Sequence, residues 1–287
     1  MERALSASLL PLLLALTPAP LAEHQAACAG KDGWSDPAPP IRVFGNVYDV
    51  GTCGIVALLV VGPRGHVLID GATAQAAPGI ARNIERLGLR LSDVKLILGT
   101  HEHVDHAGGL AALKRLTGAS LRLSPAATKV LATGKVDPAD PQLGVIEPPP
   151  VARPGPPLRN GETVAVGALR LTAHFTPGHV MGGTSWTWRS CAGRRCVRIA
   201  YADSLSAVSA DGYRFTRHPE RIAALRRSVA TVAALPCDLL ITPHPSSSDL
   251  YPRLTGDKPL IDPTACRAYA ARAESGLKAR LTKERLR

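Results

Sequence analysis

Three histidines and one aspartate stand within six residues, His101-Glu102-His103-Val104-Asp105-His106, directly after the strand-like run 94–98. In an extended segment, residues two apart project from one face, so His101 and His103 can reach a common ion. Asp105 and His106 lie where the chain turns toward the next helix and can reach a neighbouring one. Such a cluster has little use in a core, where each imidazole would need its own partner. Two further histidines follow strand-like runs, in Thr176-Pro177-Gly178-His179 and Thr242-Pro243-His244-Pro245, and the prolines aim each side chain off the sheet edge. Five imidazoles and one carboxylate suit a pair of zinc ions with a coordination position left for water. The remaining histidines that stand alone, His24, His66, His174 and His218, read as ordinary core or surface residues.

These ligands must be delivered by regular elements. Strands are predicted at residues 41–44, 47–50, 55–61 and 66–70, an antiparallel meander turning through Gly62-Pro63-Arg64-Gly65. The period then changes to helix at 80–87 and strand at 94–98. Helix, strand and helix follow near 110–116, 121–123 and 126–131, and the proline-dense stretch 138–157 is expected to be a mobile surface loop. Strands at 163–166, 169–175, 184–188 and 197–201, a helix at 219–234, a strand at 239–242 and a helix at 266–281 complete the reading. It describes one α/β domain, residues 23–287, with two sheets sandwiched between helices.

Composition narrows the function. The 287 residues carry a net charge of +11 but only 4% aromatic residues, so a base-stacking nucleic-acid surface is disfavoured. Arg3, the apolar run 9–16 and the small or helix-breaking residues 17–22 have the layout of a secretory signal peptide, with cleavage between residues 22 and 28. Cys28 as a lipoprotein acceptor is the lesser alternative. No later run approaches membrane-spanning length, so no stable membrane association is expected. In an exported chain the six cysteines can all pair. Cys191 and Cys196 flank Ala-Gly-Arg-Arg between two strand-like runs, a hairpin end suited to a bridge.

The His-x-His-x-Asp-His run with later single histidines resembles the metallo-β-lactamase superfamily. The blocks WSDPAPPIRVFGNVYDVGT (34–52), TPGHVMGGTSW (176–186), YADSLSA (201–207) and LPCDLLITPHP (235–245) resemble its subclass B3 across nearly all of the mature chain. The resemblance implies the four-layer αββα sandwich. It gives the first of two zinc ions His101, His103 and His179, and the second Asp105, His106 and His244. It also implies disulfides Cys28 to Cys53, Cys191 to Cys196 and Cys237 to Cys266.

The implied activity is zinc-dependent hydrolysis of the β-lactam amide bond of penicillins, cephalosporins and carbapenems, conferring antibiotic resistance. A hydroxide shared by two zinc ions about 3.5–4 Å apart is a nucleophile at neutral pH, and Asp105 would orient it. By the same resemblance Ser204 and Ser206 bind the substrate carboxylate. A monomer acting on a small molecule in the periplasm is expected, with no nucleic-acid partner. Asp70 is expected to orient a zinc-bound imidazole. Residues 51–54 and the loop 138–157 are expected to wall the cleft. The nearest rival is a glyoxalase-II-like thioesterase or a lactonase on the same fold, which would place an aspartate between the metals. By strand alternation Ser204 is expected to face the site and Asp203 to turn away. A non-catalytic zinc-binding protein is the remote rival, since a structural zinc closes with four ligands and needs no second ion.

Overall fold

A computed structural model describes residues 21–286. The signal segment therefore lies outside the described residues apart from its last two positions, which open helix α1 (Leu21–Cys28). Strands β1 (Ile41–Phe44), β2 (Val47–Asp49), β3 (Leu58–Val60) and β4 (His66–Ile69) form the antiparallel meander. Helix α2 (Ala77–Arg86) carries the chain back to β5 (Val94–Leu98), which pairs parallel to β4. The short helix α3 (Val104–Ala107) and α4 (Leu110–Thr117) lead to β6 (Ser120–Arg122), parallel to β5, and to α5 (Pro125–Thr133). These strands make one six-stranded sheet in sequence order.

The second sheet has the order β11-β10-β9-β8-β7. Its strands are β7 (Thr163–Val166), β8 (Leu169–Phe175), β9 (Thr184–Ala192), β10 (Arg195–Tyr201) and β11 (Leu239–Ile241). Helix α6 (Pro219–Ala233), the short α7 (Leu250–Leu254) and the closing α8 (Ala265–Arg285) complete the chain. Side-chain alternation distributes the strands among three apolar layers. Leu58, Val60, Val67, Ile69, Leu96 and Leu98 face the second sheet, whereas Leu59, Leu68 and Ile97 face α2 and α4. In the second sheet Val197, Ile199, Leu239 and Ile241 point inward, and Ala200 and Leu240 meet α6 and α8. The result is helix, sheet, sheet, helix, with each buried Leu or Ile contributing about 1.5–3 kcal/mol.

Strand β3 begins at Leu58, later than the apolar run 55–61 predicts. The run's first half is tied elsewhere: Thr52 N–H donates to the Ile55 carbonyl, and Val56 N–H donates to the Pro243 carbonyl at 2.8 Å. That second bond joins the two sheets beside His244. Three disulfides fasten the periphery, Cys28–Cys53, Cys191–Cys196 and Cys237–Cys266. The first holds α1 to the body, the second closes the β9–β10 hairpin and the third joins the approach to β11 to α8. Among the described residues no helix is long and apolar enough to cross a membrane.

Candidate metal centre and substrate cleft

The carboxyl ends of β5, β8, β10 and β11 share one edge of the sandwich, and every candidate ligand hangs from the segments that leave them. Beyond β5 the chain is extended through His103 (φ −65°, ψ 149°), and α3 begins at the next residue. His101 and His103 therefore stand on the extended segment, while Asp105 and His106 ride the first turn of α3. His179 follows a Gly178 held at φ +142° by the bond from its N–H to the Val180 carbonyl. A Cβ at Gly178 would meet the Leu225 backbone at 2.5 Å, so glycine lets this turn press against α6. His244 ends the segment after β11, and its carbonyl accepts from the Thr242 hydroxyl at 2.7 Å.

These turns converge. His101, His103 and His179 bring one ring nitrogen each to within 4.8 Å of one another, and so do ligand atoms of His101, Asp105 and His106. His244 joins the second trio through Asp105, whose Oδ2 is 3.4 Å from His244 Nε2 and 3.1 Å from His106 Nε2. The rings of His106 and His244 stand 4.9 Å apart, nearly perpendicular. All six candidate ligands thus meet in one place.

Three ring nitrogens of the cluster, His101 Nε2 and both of His106, are buried with no hydrogen bond, whereas His103 Nδ1 lies 3.4 Å from Gln142 Nε2. Opposite nitrogens are occupied: His101 Nδ1 donates to Asp203 Oδ1 at 2.7 Å, His103 Nε2 to Asp140 Oδ2 at 2.9 Å, and His179 Nδ1 to the Ser206 carbonyl at 3.0 Å. A hydrogen bond at one nitrogen fixes the tautomer that leaves a lone pair on the other, the arrangement expected of metal-binding imidazoles. Burial and the neighbouring His106, His103 and His179 hold His101 well below the usual histidine range, and burial with His103 beside it holds His179 at about 3. Burial would raise the Asp105 carboxyl, but His106 and His244 more than offset this and keep it ionised. Burial depresses His106, and the adjacent Asp105 carboxylate reverses the sign and raises it. A divalent cation would displace that proton and satisfy the orphaned nitrogens together, so the residues present fit a metal.

Two acidic residues show where they act. Ser204 lines the cleft and Asp203 does not, as expected, although β10 ends at Tyr201 and the pleat does not extend to them. Asp203 lies fully buried behind His101, on the nitrogen opposite the cluster, a contact that alternation alone does not reveal. Asp70, at φ +68°, accepts from Thr100 N–H at 2.7 Å, Thr100 Oγ1 at 2.8 Å and the Tyr201 hydroxyl at 3.0 Å. Its distance to His106 Nδ1 is 4.0 Å. Asp70 therefore fixes the backbone entering His101 rather than hydrogen-bonding an imidazole. Burial pushes its carboxyl up to about 6.

A cleft of about 430 Å³ opens over His103, Asp105, His179 and His244. Ser204 and Ser206 line it, as do Trp34, Gln142 and Arg272. Ser206 Oγ also lies 3.2 Å from His179 Nδ1. The 138–157 loop does form a wall, through Gln142 and Ile146, but it is pinned rather than free. Asp140 bonds His103, the Ala139 carbonyl accepts from buried Arg221, and Gly155 N–H donates to the Leu121 carbonyl on β6, with Leu158 N–H just past the loop donating to Leu123. Residues 51–54 do not line this cleft. Gly51 and Thr52 border a separate hollow of about 650 Å³ beside α2, and Cys53 and Gly54 border another behind Trp34. Asp140, Gln142, Tyr269 and Arg272 are cleft or bracing residues that no short motif marks. The four lone histidines stay outside: His24 bonds the Pro39 carbonyl, His66 accepts from Gly62 N–H, His174 pairs with Thr187 and His218 stacks on Tyr213.

A sandwich whose carboxyl edge gathers five imidazoles and one carboxylate under an open cleft has the layout of a metal-dependent hydrolase. The metallo-beta-lactamase superfamily model matches residues 50–192. Among solved structures, the metallo-β-lactamase MIM-1 from Novosphingobium pentaromativorans is 47% identical, covers 92% of this chain with 98% of its own, and superposes with a TM-score of 0.89. MIM-2 is 50% identical over 93% of this chain and 99% of its own, with a TM-score of 0.88. MEM-A1, a subclass B3 metallo-β-lactamase from a soil metagenome library, is 44% identical over 88% and 99%, with a TM-score of 0.84. The hydroxyacylglutathione hydrolase of Pseudomonas paraeruginosa is 32% identical over 180 residues, 60% of this chain. The chain spans 57% of the length of that curated relative. The chain belongs to the metallo-β-lactamase superfamily and, within it, to subclass B3.

Proposed function

We propose that this chain hydrolyses the amide bond of β-lactams, binding one zinc ion with His101, His103 and His179 and a second with Asp105, His106 and His244. The observation that carries the reading is the meeting of these six side chains beneath the cleft, with unpartnered His101 and His106 nitrogens turned inward. Zinc, when bound, supplies Lewis acidity toward the carbonyl and lowers the pKa of a bound water to about 7.

The protein's own groups supply the rest. Asp203, Asp140 and the Ser206 carbonyl hold His101, His103 and His179 in fixed tautomers and orientations. Asp105, ionised and flanked by His106 and His244, accepts a hydrogen bond from the attacking water and orients it toward the lactam carbonyl. Ser204 and Ser206 donate to the substrate carboxylate. Trp34, Ile146 and Val208 offer apolar surface to the substituents of the ring. The set of imidazoles with one carboxylate favours zinc over harder cations.

The protein acts as an exported, periplasmic monomer in this reading, and its activity confers resistance to β-lactams. A thioesterase activity is the competing reading, favoured by the curated hydroxyacylglutathione hydrolases. Against it stands the position of the Asp203 carboxylate behind His101 rather than between the two ligand groups. Purified protein is assayed on a chromogenic cephalosporin, a glutathione thioester and a lactone, with and without chelator. Chelator-sensitive opening of the cephalosporin alone supports the proposal, and thioester turnover without lactam turnover rejects it.

A further inference from the structure

Arg272 is the one lysine or arginine among the residues lining the cleft, and it stands on α8 rather than on any segment that carries a candidate ligand. Its neighbour one turn earlier, Tyr269, braces the segment that holds Ser204. The Tyr269 hydroxyl donates to the Asp203 carbonyl at 3.0 Å and accepts from Leu205 N–H at 3.2 Å, so it grips the residues on either side of Ser204. The Arg272 guanidinium carbon lies 6.0 Å from the centre of the Tyr269 ring. Arg272 and Ser204 therefore share one wall.

The guanidinium is underused where it stands. Its Nη2 donates to the Ser247 carbonyl at 2.9 Å, on the turn that follows His244. Nearby cations are neutralised, Arg226 by Glu274 and Lys258 by Asp249. Among the described residues no carboxylate is in ion-pair contact with Arg272, which is exposed and keeps further N–H donors for a ligand.

We infer that Arg272 is a specificity-determining residue that pairs with the carboxylate of the β-lactam substrate, adding charge to the hydroxyl donors of Ser204 and Ser206. A serine hydroxyl offers one neutral hydrogen bond, whereas a guanidinium offers a planar fork that matches a carboxylate and attracts it before contact. The inference rests on the β-lactamase reading above. It adds that anionic substrates are selected through ground-state binding at a site set apart from the reacting carbonyl.

The test compares wild type with Arg272→Gln and Arg272→Lys, using a chromogenic cephalosporin and the methyl ester of its ring carboxylate. For the acid, Arg272→Gln is expected to raise KM about five- to tenfold with kcat within about twofold, and Arg272→Lys to recover part of the loss. For the ester, wild type and Arg272→Gln are expected to share one KM. Raising salt should weaken binding of the acid to wild type and leave the Gln variant nearly unaffected. Equilibrium binding of the hydrolysed product should follow the same order. An unchanged KM for the acid in Arg272→Gln overturns the inference while leaving the activity standing. Equal losses on acid and ester, with a lowered melting temperature, also overturn it, because they mark a brace for the Ser247 turn. If wild type opens neither compound, the β-lactamase reading itself fails and the inference falls with it.

Discussion

Asp203 Oδ1 lies 2.7 Å from His101 Nδ1, a contact that joins residues 102 positions apart and links the two sheets beneath the cluster. His101 presents its other nitrogen to the cluster without a partner. The carboxylate thus sets which nitrogen of His101 carries a lone pair toward its neighbours.

Replacing that carboxyl tests the link. Burial pushes Asp203 well above the usual carboxylate range, so the carboxyl acts on His101 chiefly by hydrogen bonding. Asp203→Asn keeps the size of the side chain and removes the carboxyl, so zinc affinity is expected to fall about 10- to 100-fold with the fold retained. Chelator competition reads the affinity and circular dichroism reads the fold. Unchanged affinity would separate Asp203 from the metal site.

Asp140 makes the corresponding bond to His103 from the proline-rich loop, with its second oxygen accepting from Gln142 N–H at 2.7 Å. Asp140→Ala is expected to free the loop and loosen His103 together. Limited proteolysis within residues 135–149 should quicken several-fold, and zinc affinity should fall in the same variant. A loop that resists cleavage as in wild type would show that the bond does not anchor it.

Gly178→Ala strains the turn before His179 in two ways, through φ +142° and through contact with the Leu225 backbone at 2.5 Å. A loss of about 1–3 kcal/mol in stability is expected, measured by denaturant unfolding. Zinc content should drop with it, since His179 cannot keep its place if the turn shifts away from α6.

Glu284 supplies a pH dependence remote from the cluster. Its carboxylate accepts from Phe215 N–H, Thr216 N–H and Thr216 Oγ1, and pairs with Arg280 at 2.6 Å. Burial alone would raise it, but the Thr216 N–H and the Arg280 guanidinium lower it from 4.5 to about 2. A carboxyl depressed on folding stabilises fully above its unfolded value of about 4.5, and that stability is lost as pH falls toward about 2. Glu284→Gln should therefore cost about 1–3 kcal/mol at neutral pH and progressively less in acid. Equal melting temperatures for variant and wild type at neutral pH would contradict this.

The strands and the histidine cluster were legible because both depend on short-range pattern. Period-two alternation marks β4 and β5, and the ligands on the His101–His106 run are almost contiguous. His179 and His244 were legible through the proline-containing turns beside them. Local rules say less past the end of an element. Alternation separates Ser204 from Asp203 but does not reveal that Asp203 holds His101 from behind, and the bonds of Asp70 go to Thr100 and Tyr201 rather than to an imidazole. Asp140, Tyr269 and Arg272 act across the fold, on His103, Asp203 and Ser247, which lie 37, 66 and 25 residues away along the chain. Nothing near them in the chain signals that role. The prolines of the 138–157 loop suggest mobility, yet its backbone groups find partners on β6 and Arg221 and its Asp140 carboxylate holds His103.

Metal analysis of the purified, folded protein tests the central claim most directly. Elemental analysis after loading with zinc should give two ions per chain, falling in both His179→Ala and His244→Ala. Well-folded protein that stays empty when zinc is supplied, or stoichiometry unmoved by both substitutions, would contradict the account.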